Sequence, residues 1–357
     1  MRVVIVGGGM AGAVLAGALR RRGVEPVVLE RGPATATIPG PIMLPYQAYD
    51  ALADLGLLEE VRAAGRPIAP QADGTPVAIA VARQALIDAL RRDVPIRFDT
   101  TVTGLRRDGD RIVGVETDGG PIAADLVVGA DGSRSPVREM AGIAAEVRPA
   151  PGAGLSFRSP VQLDVPFAMA YQSDGRQVGV LSWSGGSAGW WQIDRIGREA
   201  ALAPGVEAYR RAFGRLLPAA APALEGVTSI DQLVYREVIE VRCETWWAPG
   251  VALIGEAAHA IDPEAGVGAG LGFGDALALA VAIAGASDPD AACRDYEFWR
   301  RPVVAPYEAI GAARARASPK PRPAPTPASG SMAWAASPIS ATPGAHQVSQ
   351  RTSITSR

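Results

Sequence analysis

Residues 1–31 read MRVVIVGGGMAGAVLAGALRRRGVEPVVLER, and this stretch decides the fold. Val3–Val6 is an uninterrupted apolar run of buried-strand character, Met10–Arg22 reads as a helix, and Val24–Glu30 is a second strand. Between strand and helix, Gly7, Gly9 and Gly12 match the spacing G-x-G-x-x-G. Gly7 allows a tight turn, Gly9 lets a pyrophosphate approach the backbone, and Gly12 lets helix and strand pack closely. Met10 and Ala11 open the helix, where free N–H groups and the helix dipole favour phosphate. Glu30 lies 18 residues beyond Gly12, placed to bond ribose hydroxyls, with Arg31 beside it. An acid there disfavours a 2′-phosphate, so the expected dinucleotide is FAD or NAD rather than NADP.

The rest of the composition narrows the class. The chain has 357 residues, enough for two ordinary domains or one elaborated domain. A formal charge of -2 argues against a generic nucleic-acid binder, which would carry a basic face. Cys243 and Cys293 cannot make a disulfide framework and suggest a reducing compartment. With only two histidines beside them, no dedicated metal centre of these ligands is expected. Lys320 is the sole lysine, so no mechanism that needs a catalytic lysine is housed in residues 1–317. The longest apolar run, Ala276–Ala286, is 11 residues and too short to span a bilayer, and the N-terminus lacks a secretory pattern. The expectation is a cytoplasmic protein without stable membrane association, monomeric or homodimeric.

Spacing of Leu52, Leu55, Leu58 and Val61 predicts an amphipathic helix over 46–65, and another is expected at Arg83–Arg92. Strands are expected at 96–103, 111–117 and 126–129. From Gly152 to Trp247 the pattern shortens into segments that predict mostly antiparallel strands (169–172, 177–183, 189–193, 234–241), interrupted by one helix at 204–217. Val251–Gly255 returns to parallel-strand character and is followed by a glycine series and an apolar helix at 271–286. Ser318–Arg357, rich in Pro and Ser and without an acid, is expected to be disordered. The fold class is thus α/β: a Rossmann-like dinucleotide-binding domain with a parallel sheet (1–151, returning at 248–317), an inserted, mostly antiparallel substrate-binding sheet (152–247), and the tail (318–357).

Two later segments specify the dinucleotide. Asp125–Arg138 reads DLVVGADGSRSPVR, and Val251–Ala276 reads VALIGEAAHAIDPEAGVGAGLGFGDA. With the opening turn, these resemble the ordered motifs of the FAD-dependent monooxygenases of the aromatic-hydroxylase type (class A flavoprotein monooxygenases), over roughly residues 1–310. The resemblance implies that Asp131 and Gly132 touch FAD and the transient NADH or NADPH. It also implies that Glu256 lies at the ribityl chain, Arg83 near the cofactor, and the Val102 backbone by adenine. Pro263, Gly266 and Gly268 belong to a loop whose following helix could stabilise negative charge on the reduced flavin. Two departures stand out: Glu256 replaces the family's Asp, and Val267 and Gly270 replace polar residues common in that loop. His259 reads as a structural residue near the flavin.

The resemblance implies hydroxylation or epoxidation of an electron-rich aromatic or polyketide-like molecule by NAD(P)H and O2, through a C4a-hydroperoxyflavin. No catalytic side chain is then required, because the cofactor carries the chemistry. Candidate substrate contacts are Tyr171, Trp183, Trp191 and Gln192 on the inserted sheet. Rival expectations are a flavin-dependent reductase or dehydrogenase, a halogenase of related fold (disfavoured without a lysine), and a catalytically silent flavin-binding protein.

Overall fold

A computed structural model describes residues 1–70 and 75–317. The expected tail, 318–357, lies outside the described residues. The chain begins with strand Val3–Val6 (β1), helix Met10–Arg20 (α1) and strand Val27–Leu29 (β2). Strand Pro41–Pro45 (β3) leads to helices Tyr49–Asp54 (α2) and Leu58–Ala64 (α3). The single helix expected over 46–65 is broken where Gly56 takes φ +73°, a left-handed stop after α2. Strands Arg66–Pro70 (β4) and Pro76–Ala82 (β5) then precede helix Arg83–Arg91 (α4). Strands Ile96–Arg97 (β6), Val102–Asp108 (β7), Arg111–Thr117 (β8), Gly120–Ala123 (β9) and Leu126–Gly129 (β10) follow, ending at helix Pro136–Ala141 (α5).

The second half opens with the long strand Ala145–Ser159 (β11), then Phe167–Tyr171 (β12), Gln177–Trp183 (β13) and Gly186–Ile193 (β14). Helix Arg198–Leu202 (α6) precedes Gly205–Leu216 (α7), which forms where a helix is expected at 204–217, and Ala221–Glu225 (α8) follows it. Strands Leu233–Cys243 (β15), Trp247–Ala248 (β16), Val251–Leu253 (β17) and His259–Ala260 (β18) return the chain to helices Gly268–Gly285 (α9) and Pro289–Ala317 (α10).

The main sheet has the order β16-β17-β10-β1-β2-β6 and is parallel apart from β16. Its central strands β1, β10 and β17 are buried along their whole length, as a sheet covered on both faces requires. The second sheet, β12-β13-β14-β11-β15-β18, is antiparallel, and two three-stranded sheets (β3-β5-β4 and β7-β8-β9) complete the fold. One apolar core joins the main sheet to α1 and α9, and a separate core lies between the second sheet and α7. The boundary expected at 152 falls inside β11, whose first half already pairs with β15 before a bulge between Pro149 and Ala153. By length and composition, α9 is apolar enough to cross a membrane; here it packs between α1 and α10, with 56% of the helix buried inside the fold.

Candidate functional site

Three adjacent strands, β17, β10 and β1, each end at their C-terminal edge in one of the glycine segments. That edge is where open α/β sheets bind ligands. The segments touch one another. Gly7 has φ +108°, and a β-carbon there would overlap the Ala130 carbonyl, so the first turn and the Asp131 segment meet through bare backbone. A β-carbon on Gly255 would lie 3.5 Å from the Ala11 methyl and 3.7 Å from Gly272, which joins the third segment to the first.

The first turn has the form a phosphate needs. Gly7 N–H donates to the Leu29 carbonyl at 2.8 Å, holding the turn against β2. Helix α1 starts after Gly9 with no capping side chain and no acid in its first turn, leaving its leading amides unpartnered by side chains. Nothing lies within 4 Å of a β-carbon placed on Gly9, so the approach to those amides is open. Glu30 accepts the Gly8 amide at 2.9 Å through Oε2 and the Gly32 amide at 2.8 Å through Oε1. Those bonds fix the carboxylate beside the turn and leave further acceptor positions for hydroxyls. Arg91 braces the same loop, donating from Nε to the Gly8 carbonyl at 2.8 Å while its guanidinium lies over Phe98. Arg31 is exposed, and Val102 begins β7 half-buried.

In the second segment, Asp131 Oδ2 accepts the Val137 amide at 3.0 Å, and Ser135 caps α5 through the Arg138 amide. Asp131 Oδ1 is buried without a protein partner. Burial raises this carboxyl above the ordinary Asp value, partly offset by Ser135 and the Val137 amide. Arg138 is buried and donates to the Ala257 and Ser133 carbonyls at 3.0 Å each, tying the second segment to the third. Arg134 is exposed.

In the third segment Gly255 has φ +59° and gives its amide to Asp275 Oδ2 at 3.0 Å, presenting Glu256 on the exposed side of the turn. Pro263 opens a short turn, Gly266 has φ +66°, and α9 starts at Gly268 without a side-chain cap or acid in its first turn. His259, expected to be structural, is buried: Nε2 lies 2.6 Å from Asp275 Oδ2 and its ring packs on Trp246 at 4.9 Å. Asp275 also accepts Arg300 Nε at 2.9 Å. Burial alone would raise the Asp275 carboxyl, but His259 and Arg300 outweigh it and hold it below the ordinary value. The sequence reading missed Asp275 and Arg300 as a pair. The available signal was an acid inside an otherwise apolar helix, which demands a partner.

Arg83 begins α4, giving its amide to the Gly40 carbonyl at 2.9 Å and an Nη to the Pro41 carbonyl at 3.5 Å. Its Nε is buried and unpartnered. Burial first, then the like charges of Arg236 and Arg158, push the guanidinium down, with Glu256 opposing.

Of the four candidate substrate contacts, the register separates one from the rest. Tyr171 pairs with Gln177, and Gln192 with Gly154, so Tyr171, Trp183 and Gln192 share one face of the second sheet. That face meets β3–β5 through Leu181, Phe167 and Trp190. Trp191 points to the opposite face and is corrected to a core residue, packed on Tyr209 and Phe213 at 6.0 and 6.3 Å. Its neighbour Trp190 occupies the face Trp191 was expected to hold. Cys243 and Cys293 are free and buried, and burial pushes their thiols up to about 11 and about 12, so neither is a thiolate nucleophile near neutrality.

Two uncapped helix starts, a carboxylate fixed beside the first turn, a buried orphan oxygen on Asp131 and an orphan Arg83 Nε all fit FAD. Fold and site define an FAD-dependent oxidoreductase. A family model described as FAD binding domain matches residues 1–308, and the chain belongs to that family. It is 27% identical over 295 residues to the aurachin C monooxygenase/isomerase of Stigmatella aurantiaca, covering 74% of this chain and 76% of that one. Over 298 residues it is 29% identical to the 3-amino-4-hydroxybenzoate 2-monooxygenase of Streptomyces cremeus, covering 74% and 73%. Among solved structures, PqsL, a probable FAD-dependent monooxygenase from Pseudomonas aeruginosa, superposes with TM-score 0.77 at 25% identity, covering 89% of this chain and 96% of that one. The expected family, α/β fold, cofactor and monooxygenase class are thereby borne out.

Proposed function

We propose that this protein uses FAD, NAD(P)H and O2 to hydroxylate or epoxidise an electron-rich aromatic or polyketide-like small molecule. The observation that carries the reading is the convergence of three glycine segments on adjacent strand ends of the main sheet. When bound, FAD supplies hydride acceptance and oxygen activation. The chain's own residues bind and orient. The α1 amides and Gly9 would hold the pyrophosphate, Glu30 the ribose, and Asp131 and Glu256 the remaining hydroxyl-bearing portion. The start of α9 would favour negative charge at the ring edge. Phe167, Trp190, Leu181 and Met43 build an apolar wall that excludes water from the reacting region. Two buried thiols without a disulfide support a reducing, cytoplasmic setting.

The test is purification with the bound flavin, a phenol and polyketide panel scored by NAD(P)H oxidation, and ¹⁸O₂ labelling. Label in the product supports the monooxygenase; turnover without label means a reductase or dehydrogenase, and no stimulated oxidation favours a silent flavin-binding protein. Glu256→Ala is expected to strip most flavin colour from the purified protein, and full flavin retention would remove Glu256 from the site.

A further inference from the structure

We propose that the protein is a symmetric homodimer in which the outer face of α10 packs antiparallel on α10 of a second copy. This goes beyond the monooxygenase reading and does not depend on it.

Helix α10 turns Cys293, Tyr296, Arg300 and Val304 toward the body of the protein. Tyr296 donates its hydroxyl to the Leu253 carbonyl at 2.9 Å, and Arg300 Nε reaches Asp275 on α9 at 2.9 Å. Steps of three and four residues mark the inner stripe of a helix laid on a core, and the outer side of such a helix ordinarily carries charge. Here every exposed residue from 298 to 310 is apolar. Phe298 is 77% exposed, Ile310 48%, Trp299 44% and Val303 41%, and the exposed Pro302 and Pro306 lie between them. Beside this face, Trp247, Arg294 and Arg301 line an open cleft together with Phe298 and Pro302. A continuous apolar face of this kind marks an interaction surface.

The spacing of the face argues for its occupant. Asp295, Trp299, Val303, Pro306, Ile310 and position 314 follow at steps of four, four, three, four and four, which read the same in either direction. A twofold axis level with Val304 and Ala305 therefore sets Trp299 of one copy against Ile310 of the other, and Val303 against Pro306. The same register brings Asp295 level with position 314, an arginine in the sequence, at both ends of the seam. A lipid surface or an unrelated protein demands no such self-complementarity in apolar and charged positions together, whereas a contact of one patch with its own copy does. The area suffices. Phe298 and Trp299 alone offer about 250 Å² of aromatic surface. The prolines, Val303 and Ile310 bring the face to several hundred Å² per copy, the size of a small, reversible interface with a dissociation constant of about 10 µM.

Sedimentation velocity of the purified full-length protein, from about 1 to about 100 µM, is expected to show a reversible monomer–dimer equilibrium. Trp299→Glu should weaken it at least about thirtyfold. Asp295→Arg alone and Arg314→Asp alone should each weaken it about tenfold, because each sets like charges together at both ends of the seam. Mixed in equal amounts, these two variants restore opposite charges at both ends, and association should recover to within about threefold of the unaltered protein. Each variant is expected to keep its flavin content and thermal unfolding temperature, which separates lost pairing from lost folding. A protein that stays monomeric at about 100 µM overturns the proposal. If that monomer instead sediments with phosphatidylcholine vesicles, the face serves a lipid surface. A dimer that Trp299→Glu leaves intact is held by another surface and equally overturns it. Charge variants that pair as tightly as the unaltered protein, or that fail to recover on mixing, overturn the antiparallel register.

Discussion

Asp275→Ala is expected to destabilise the protein by about 3–5 kcal/mol and to release its flavin, although Asp275 is not placed in contact with the cofactor. Its carboxylate sits at the centre of a buried cluster, taking the Gly255 amide, His259 Nε2 and Arg300 Nε. Truncation leaves the Arg300 charge beside the apolar α9 and frees the turn that aims Glu256. The pH dependence has a definite sign. The Asp275 carboxyl is held below its ordinary value, so its contribution is complete above the unfolded value of about 4 and is lost as pH falls through the lower, folded value. The stability gap between wild type and Asp275→Asn should therefore be flat from about pH 7 to 5 and narrow only below about pH 4. Thermal unfolding across that range measures it. A gap that closes already near pH 6 would mean that another group governs the cluster.

The sequence made the cofactor half of the site readable because its signals are local. Val3–Val6, Arg111–Thr117 and Leu126–Gly129 form strands with the bounds expected of them, and the three glycine segments follow the buried apolar strands β1, β10 and β17. No strand is expected over 145–159, because Pro149, Pro151, Gly152 and Gly154 break any apolar alternation there; a bulge lets β11 continue past them. Trp190 and Trp191 are one residue apart, and only register decides which faces the site; a one-residue offset exchanges wall for core. Asp275 finds His259 and Arg300 only once α9 packs beneath the third glycine segment and against α10.

Gly9→Ala and Gly12→Ala are expected to have opposite effects on the fold while both impair flavin binding. At Gly12 a β-carbon would overlap the Gly7 carbonyl oxygen, and neither backbone can yield without opening the contact between α1 and β1. That variant should lose about 3 kcal/mol or more, at or above the upper end for an overpacked core site, and emerge colourless. At Gly9 the backbone is extended (φ -68°, ψ -170°) and a β-carbon meets nothing within 4 Å, so alanine fits without strain. The flavin-free Gly9→Ala protein should be as stable as wild type or up to about 1 kcal/mol more stable, because alanine restricts the unfolded chain. Its flavin affinity should nonetheless fall at least about tenfold, since the added methyl occupies the space where a pyrophosphate must approach the amides. Thermal unfolding of the flavin-free proteins and flavin titration separate the two effects. Normal flavin affinity in Gly9→Ala would place the pyrophosphate elsewhere, whereas a stability loss in that variant equal to that of Gly12→Ala would mean the turn is occupied by protein rather than open to ligand.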